Sequence, residues 1–335
     1  MDAEGKPVLV NTSGRDFEQF FPAALRAGYP EIRLIHVSPA GGPGAVVAAA
    51  ARHGARVLMT GWGSPPLPET FRRDCPSVEY VCHLTGELRA LVPRALIERG
   101  LLVTNWGDAV ARYAAEAALM LVLACLRRLG ECQAAMRERR SLPADLPEAA
   151  SLFGKRVGIH GFGSIARSLV PLLGPFGCAV RAYSAPVPEA VFREAGVARE
   201  TDLVRLFAES DVVVEVEALT PQTRGTVTWE HLSALKPGSA LVNCGRGAVL
   251  EEAALLRAAR RPDLAIGLDV FHAEPLPADS PLRDLPNVIL MPHRAIRVRE
   301  LYPAAARTAL ENVRAWLSGR PVRHRIGPAE YDRMT

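Results

Sequence analysis

Short runs of apolar and β-branched residues alternate along the chain with longer segments in which apolar residues recur at helical spacing. The short runs are typical of buried strands, and the alanine- and arginine-rich segments between them are typical of helices. Such alternation predicts parallel sheets covered by helices on both faces, which is the α/β fold class. The predicted strands are residues 8–10, 32–37, 57–60, 78–82, 101–104, 156–160, 178–183, 212–216, 240–243, 265–270 and 288–291.

The predicted strands fall into two series separated by a different kind of sequence. The first series ends at about Thr104, and a long amphipathic helix is predicted over about residues 109–129. Residues 137–151 are polar and contain prolines, which predicts a connector or an arm before the second series. A last helix is predicted over residues 300–317, and a length of 335 residues fits two domains of ordinary size.

Composition narrows the function. Hydrophobic residues make up 49% and charged residues 23% of the chain, which favours a globular protein over a disordered one. The net charge is +4, and lysine occupies only three of the 40 basic positions. No block of basic residues is flanked by aromatic residues, so nucleic-acid binding has little support.

Cysteine spacing and the apolar stretches bear on the compartment. The six cysteines include no Cys-x-x-Cys pair, which predicts neither a zinc site nor a disulfide scaffold and fits a reducing compartment. The first residues lack the cationic and apolar regions of a signal peptide. The most apolar stretch, residues 114–126, contains Glu116 and is too short to span a bilayer. We therefore expect a cytoplasmic protein with neither a membrane partner nor a bound metal.

The first motif that carries chemistry is a glycine turn between a predicted strand and a predicted helix. Its residues are Gly161, Phe162, Gly163, Ser164 and Ile165. Gly161 allows a tight turn, Gly163 allows the backbone to approach a pyrophosphate, and free N–H groups at the helix N-terminus bind the phosphates. The turn is therefore a candidate dinucleotide site, and a glycine-rich turn without a ligand is the alternative.

The position that faces the ribose departs from the usual pattern. An NAD site places an acidic residue at the end of the next strand, where it binds the 2′-hydroxyl. Ser184 occupies that position here, and Arg181 inside the strand is the nearest basic residue. We therefore expect NAD or NADP as the cofactor, with less than about a tenfold preference between them. A plain surface turn is the alternative role for Ser184.

Polar residues also follow three later predicted strands, in the segments 243–247, 269–275 and 291–293, which include Arg246, Glu274 and His293. Two further runs, residues 99–105 (RGLLVTN) and 217–225 (EALTPQTRG), complete the pattern. These segments occur in order over most of residues 80–295. Together they resemble the D-isomer-specific 2-hydroxyacid dehydrogenase family.

The resemblance implies catalytic roles for three residues. Arg246 would bind the carboxylate and carbonyl oxygen of the substrate, because a guanidinium presents a planar fork that fits a 2-oxo acid. His293 would be the general acid and base, since histidine titrates near neutral pH. Glu274 would hydrogen-bond the imidazole and favour its protonated form.

The resemblance also implies further binding residues. Backbone N–H groups of Thr85 and Gly86 would bind the substrate carboxylate. The cofactor would contact Leu219, Thr220, Cys244, Gly245 and Asp269, the last of them on its nicotinamide side. Arg294, directly after His293, departs from the family pattern and adds positive charge beside the predicted acid and base.

For the whole chain, the resemblance implies an NAD(P)-dependent oxidoreductase acting on a small D-2-hydroxy or 2-oxo acid. It implies a flavodoxin-like substrate domain of residues 1–104 and 298–335, with an inserted Rossmann-type dinucleotide domain of residues 105–297. Both domains would be doubly wound parallel sheets. Family members usually dimerise through the long helix and the arm, so a homodimer is expected. A formate-type dehydrogenase and a dinucleotide-sensing co-regulator on the same fold are the alternatives.

Overall fold

The computed structural model of the protein describes residues 5–138 and 147–334. Its strands are β1 (Lys6–Asn11), β2 (Ile32–Val37), β3 (Val57–Thr60), β4 (Tyr80–His83), β5 (Leu102–Thr104), β6 (Arg156–His160), β7 (Ala179–Tyr183), β8 (Ala198–Arg199), β9 (Val212–Glu215), β10 (Ala240–Asn243), β11 (Ala265–Leu268) and β12 (Val288–Leu290). Five of these strands, β3, β4, β9, β10 and β11, are buried along their whole length, which explains why their sequences are mostly apolar.

Helices follow most of the strands, as the helical spacing between the apolar runs predicts. They are α1 (Gly14–Phe20), α2 (Ala23–Ala27), α3 (Gly42–His53), α4 (Phe71–Asp74), α5 (Arg94–Glu98), α6 (Ala111–Leu126), α7 (Leu129–Arg137), α8 (Ser164–Leu173), α9 (Glu189–Glu194), α10 (Leu203–Glu209), α11 (Trp229–Ser233), α12 (Glu252–Ala259), α13 (Leu301–Leu317) and α14 (Pro328–Arg333).

The described chain divides into two compact units. The first contains the residues up to Val110 together with those from Val298 onward. Its strands are parallel, in the order β2-β1-β3-β4-β5, which is the order of flavodoxin-like folds. Leu9, Leu58 and Val81 lie in its buried core. The helices α13 and α14, from the far end of the chain, pack against α1 and α5 of this unit.

The second unit, Ala111–Arg297, contains a seven-stranded parallel sheet in the order β12-β11-β10-β9-β6-β7-β8. The chain order reverses at the neighbours β6 and β9, and ligands of α/β folds bind at the carboxyl ends of strands beside such a point. One face of the sheet is covered by apolar side chains of α6 and α8, and the other by those of α10, α11 and α12. The predicted fold class, two doubly wound parallel sheets, is thereby confirmed.

Two elements differ from the prediction. The helix predicted to run to residue 129 ends at Leu126, because Arg128 takes a left-handed conformation with a φ of 53°. Its guanidinium donates hydrogen bonds to Glu131 and to the carbonyl of Leu264. The two-residue strand β8 has too short an apolar run to be recognised from the sequence.

Part of the predicted arm, residues 139–146, lies outside the described residues. The domain limits given above, at residues 104–105 and 297–298, stay predictions. No helix in the described ranges is both long enough and apolar enough to cross a membrane.

Candidate functional site

Chemistry-bearing residues of the second unit follow six strands of its sheet. In the order of the strands β6, β7, β9, β10, β11 and β12, they are Gly161, Ser184, Glu217, Arg246, Asp269 and His293. Because these strands are parallel, their carboxyl ends lie along one edge of the sheet. The structure therefore brings the predicted dinucleotide turn and the predicted catalytic residues to the same edge.

The glycine turn after β6 contains two glycines that differ in their surroundings. A Cβ on Gly161, whose φ is 93°, would lie 2.4 Å from the backbone nitrogen of Glu217, so only glycine fits. A Cβ on Gly163 would contact nothing within 4 Å. That open space lies at the N-cap of α8, where free N–H groups and the helix dipole favour an anion. The turn therefore fits a dinucleotide pyrophosphate.

The side chains of this turn contribute little to the open space. Phe162 is buried and stacks on Phe192, with ring centroids 4.5 Å apart and planes 9° apart. Ile165 is partly buried against the same core, and Ser164 is partly buried at the start of α8. Phe162, predicted to contact the cofactor, can therefore do so only through its main chain.

Ser184, the residue predicted to face the ribose, is 2% exposed, so it is not a surface turn residue. Its hydroxyl donates a 2.7 Å hydrogen bond to Oε2 of Glu217. Glu217 is also buried, and its Oε1 accepts the N–H of Ala218 at 3.0 Å. The predicted ribose position therefore holds the carboxylate of Glu217 beside Ser184, and Glu217 was not predicted from the sequence. The signal was present as two glutamates, Glu215 and Glu217, at the end of an otherwise apolar strand.

Arg181 does not assist at this position. Its guanidinium donates a 2.8 Å hydrogen bond to Glu209 and lies 3.6 Å from Glu200. Glu209 precedes β9, whereas Ser184 follows β7. The guanidinium is therefore bound toward the amino edge of the sheet, opposite to the edge that holds Ser184.

A buried ion pair lies at the ends of the two central strands. His160 of β6 and Glu215 of β9 are partners in register, and Nδ1 of the imidazole bonds Oε2 of the carboxylate. Burial lowers the pKa of His160, but the charge and hydrogen bond of Glu215 outweigh it, with a further contribution from Glu217. The net effect raises the pKa of His160, which favours the imidazolium as the counter-ion of Glu215.

Arg246 follows β10 in a loop that Asn243 fixes. The Asn243 side chain accepts the N–H of Gly245 at 3.0 Å and donates to the carbonyl of Arg246 at 3.2 Å. The partly exposed Arg246 guanidinium donates to the carbonyl of Gly245 at 2.8 Å. Cys244 is buried, and burial raises the pKa of its thiol well above the usual range. The loop therefore presents a guanidinium, rather than a reactive thiol, at the sheet edge.

The loops after β10 and β11 are in direct contact. A Cβ on Gly247 would lie 2.0 Å from the backbone carbon of Phe271. The ring of His272 bonds the carbonyl of Leu250 at 3.1 Å, and Oε1 of Glu274 accepts the N–H of Phe271 at 3.0 Å. These contacts hold the loop that carries Arg246 against the loop that carries Glu274.

Asp269, at the end of β11, holds the loop that bears His293. Its carbonyl accepts the N–H of His293, and its carboxylate oxygens accept the N–H groups of Arg294 and Ala295. Burial raises the pKa of Asp269, although the two backbone hydrogen bonds oppose that effect. His293 has a φ of 51°, a left-handed conformation that is uncommon outside glycine. The structure thus gives Asp269 a positioning role, and a contact with the cofactor stays a prediction.

His293 and Glu274 form the second histidine–glutamate pair of this unit. Nδ1 of His293 lies 2.6 Å from Oε2 of Glu274, and the two side chains are 43% and 35% exposed. A mostly apolar cavity of about 350 Å³ adjoins the pair. Its lining includes Phe271, Leu276 and Met291. The predicted hydrogen bond between His293 and Glu274 is therefore formed, next to a space that can accept part of a ligand, and the acid–base role of the pair stays a prediction.

Leu219 and Thr220 lie in a tight turn after β9. The N–H of Thr220 donates a 2.7 Å hydrogen bond to the hydroxyl of Thr223, which closes the turn. Leu219 packs against the core beneath the sheet. Both residues are partly exposed, and their contact with a cofactor stays a prediction.

In the first unit, the predicted substrate turn follows β4. The Thr85 hydroxyl is buried and bonds Nε2 of His83 at 2.5 Å, while Nδ1 of His83 bonds the Thr60 hydroxyl at 2.9 Å. Burial lowers the pKa of His83 to about 4, so the ring is neutral. A Cβ on Gly86 would lie 2.8 Å from the Trp106 indole nitrogen. The turn is thus fixed by its own packing, and only its main chain can meet a ligand.

Comparison with known proteins adds an independent line of support. Residues 119–295 match the family model described as the NAD binding domain of D-isomer specific 2-hydroxyacid dehydrogenases. The match covers more than half of the chain and contains every site residue described in the second unit. The chain belongs to this dehydrogenase family. The family predicted from the sequence is confirmed, and so is a nicotinamide dinucleotide as its class of cofactor.

Individual members of the family are moderately similar to this chain. Glyoxylate/hydroxypyruvate reductase B of Pectobacterium atrosepticum is 35% identical over 239 residues, which are 70% of this chain and 74% of that protein. D-3-phosphoglycerate dehydrogenase of Methanocaldococcus jannaschii is 32% identical over 226 residues, or 67% of this chain, but this chain spans only 43% of that relative. The NADPH-bound crystal structure of a D-isomer specific 2-hydroxyacid dehydrogenase from Xanthobacter autotrophicus has 28% identity and a TM-score of 0.75, with coverage of 98% of this chain and 100% of that one.

Proposed function

We propose that the protein catalyses hydride transfer between a nicotinamide dinucleotide and a small 2-oxo or D-2-hydroxy acid. The observation that carries the proposal is the exposed His293–Glu274 hydrogen bond at the sheet edge that also holds Arg246 and the glycine turn. A proton donor, a cation for the substrate and a dinucleotide turn are the groups that this reaction needs.

The roles of the residues follow from their chemistry. The bound dinucleotide supplies or accepts the hydride. Arg246 binds the substrate carboxylate and polarises the carbonyl oxygen. His293 donates a proton from Nε2 to that oxygen during reduction and takes it back during oxidation, because its Nδ1 is held by Glu274. The Glu274 carboxylate orients the ring and favours the imidazolium. Thr85 and Gly86 are proposed to bind the substrate through main-chain N–H groups.

Replacement of Arg246 by lysine tests the proposal. We expect Arg246→Lys to fold normally but to lose about 100-fold or more in kcat/KM, because an ammonium cannot form the bidentate clamp. Arg260→Lys, the same change at an exposed position after α12, should leave kcat/KM unchanged. Near-parent efficiency in Arg246→Lys would contradict the role of Arg246.

The substrate class is tested by a panel of 2-oxo acids. Glyoxylate, hydroxypyruvate, pyruvate and phenylpyruvate would each be supplied with NADH and with NADPH, and the absorbance of the reduced nicotinamide would be followed. We expect consumption with at least one acid. Turnover with none of them would favour the co-regulator alternative.

A homodimer is proposed from the distribution of exposed apolar side chains. Three of the five exposed large apolar residues in the described ranges lie on α6 and α7, namely Met120 (48%), Leu129 (45%) and Met136 (68%), while Phe153 (68%) precedes β6 and Leu172 (37%) lies on α8. A second copy of the chain would cover the three on α6 and α7. Sedimentation equilibrium should therefore give about twice the 36.2 kDa of one chain. A single-chain mass would contradict the dimer.

A reducing compartment, the cytoplasm, is proposed as the site of action. All six cysteines are free thiols, and four of them are buried. Free thiols at this frequency fit a compartment in which thiols stay reduced. Fractionation of the cells that make the protein would test the proposal.

A further inference from the structure

We propose that Glu217 replaces the missing acidic residue of the ribose position and makes the protein select NAD over NADP. The inference rests on the proposed function, since it concerns the dinucleotide that takes part in the reaction. In place of a carboxylate at the end of β7, the protein uses a carboxylate that follows β9.

The first step is where the carboxylate lies. The ribose-binding acidic residue of a dinucleotide fold stands at the end of the strand after the glycine turn, and Ser184 stands there. Oε2 of Glu217 lies 2.7 Å from the Ser184 hydroxyl, so the carboxylate reaches the same position from the opposite side of β6. The Glu217 backbone crosses directly against Gly161, where any Cβ would collide with it. Glu217 therefore lies between the pyrophosphate turn and the ribose position.

The charge of the Glu217 carboxylate is not paired with a basic side chain of the described residues. Glu217 is 8% exposed, and its carboxylate accepts hydrogen bonds from the Ser184 hydroxyl and the Ala218 N–H. Within residues 5–138 and 147–334, no lysine or arginine forms an ion pair with it. The hydrogen bond of the His160 ring goes to Glu215 rather than to Glu217, although the charge of Glu217 contributes to the raised pKa of His160. Within the described residues, no basic side chain therefore cancels the negative charge of Glu217, and two hydrogen bonds leave oxygen lone pairs for a sugar diol.

A carboxylate at this position affects the binding of NAD and NADP in opposite directions. A ribose diol donates hydrogen bonds to a carboxylate, whereas a 2′-phosphate carries two negative charges and is repelled by it. Arg181, the cation that sequence analysis considered for the phosphate, is held by Glu209 and Glu200. The expectation of nearly equal use of NAD and NADP took Ser184 and Arg181 into account, but no carboxylate at this position. With Glu217 at the same position, we expect a preference for NAD of at least tenfold.

A carboxylate from Glu217 beside Ser184 also changes the effect on NADH binding that we expect from Ser184→Asp. If Ser184 alone faced the ribose, Ser184→Asp would restore the usual carboxylate and strengthen NADH binding. With Glu217 within hydrogen-bond distance of residue 184, the added carboxylate would repel the existing one. Ser184→Asp should therefore fail to strengthen NADH binding.

Equilibrium binding without substrate provides the test. Dissociation constants for NADH and NADPH would be measured by nicotinamide fluorescence on the parent protein, Glu217→Gln and Glu252→Gln. Glutamine keeps the size of residue 217 and removes its charge, so we expect the NADH preference to fall at least tenfold, or about 1.4 kcal/mol. Glu252→Gln removes the same charge from an exposed position on α12 and should leave the preference unchanged.

The outcomes separate this inference from the proposed function. Binding of both nucleotides with the same ratio in the parent and in Glu217→Gln would overturn the inference and leave the proposed function standing. Binding of neither nucleotide to the parent would overturn the proposed function and the inference with it. Thermal unfolding would check that each variant folds. If Glu217→Gln does not fold, Ser184→Asp decides, because stronger NADH binding in that variant would overturn the role of Glu217.

Discussion

The second unit contains two histidine–glutamate pairs of the same composition in opposite environments. The side chains of His160 and Glu215 are 3% and 0% exposed, whereas those of His293 and Glu274 are 43% and 35% exposed. Each pair joins Nδ1 of the ring to one carboxylate oxygen. Because the second pair meets solvent, it can exchange a proton with a substrate, and the first pair cannot.

The comparison shows that burial decides what such a pair can do. The buried pair gives Glu215 a partner inside the sheet, and the same carboxylate also accepts the N–H of Glu217. The exposed pair keeps its ring oriented while the other nitrogen remains free to react. One pair therefore supports the packing of the sheet, and the other is the pair for which we propose the catalytic role.

The largest expected effect is a loss of kcat when His293 is replaced, in contrast to the replacement of His160. His293→Gln should lower kcat by about 10²–10⁴-fold, because the general acid is lost, with little change in the melting temperature. His160→Gln should instead lower the melting temperature, since it leaves a buried carboxylate without its partner. Steady-state kinetics and thermal unfolding of both variants would check this. A similar loss of kcat in the two variants would erase the distinction.

The next effect concerns stability. Glu215→Gln should lower the free energy of unfolding by about 1–3 kcal/mol, because a buried charge-assisted hydrogen bond is lost. The raised pKa of His160 means that its stabilisation is present below the ordinary pKa of 6.5 and is lost as the pH rises through the raised value. Urea unfolding over this pH range should show that decline in the parent and not in Glu215→Gln. The same decline of stability in the parent and in Glu215→Gln would mean that a titratable group other than His160 causes it.

The smallest effect concerns the exposed pair. Glu274→Gln removes the carboxylate beside the imidazole, so the reductive rate should fall off at a lower pH than in the parent. The pH dependence of kcat/KM in the parent and in the variant would measure the shift. Glu252→Gln serves as the control with an unchanged profile. Superimposable profiles for Glu274→Gln and the parent would argue against a catalytic role for the pair.

Much of the sheet could be predicted because buried parallel strands are continuous apolar runs, as at Ala265–Leu268. The grouping of Arg246, Asp269 and His293 at the carboxyl edge of this sheet could be predicted because each of them follows such an apolar run. Glu217 could not, because its partner Ser184 lies 33 residues away and only the order of the strands brings them together. The end of α6 was also missed, since nothing local marks Arg128 as left-handed.

Gly247 makes the catalytic edge difficult to change one mutation at a time. Any side chain at this position would collide with the backbone of Phe271 and separate the loop that carries Arg246 from the loop that carries Glu274. A substitution of Gly247 would therefore require a change in both loops. In evolutionary terms, the two loops can be inherited only as a block.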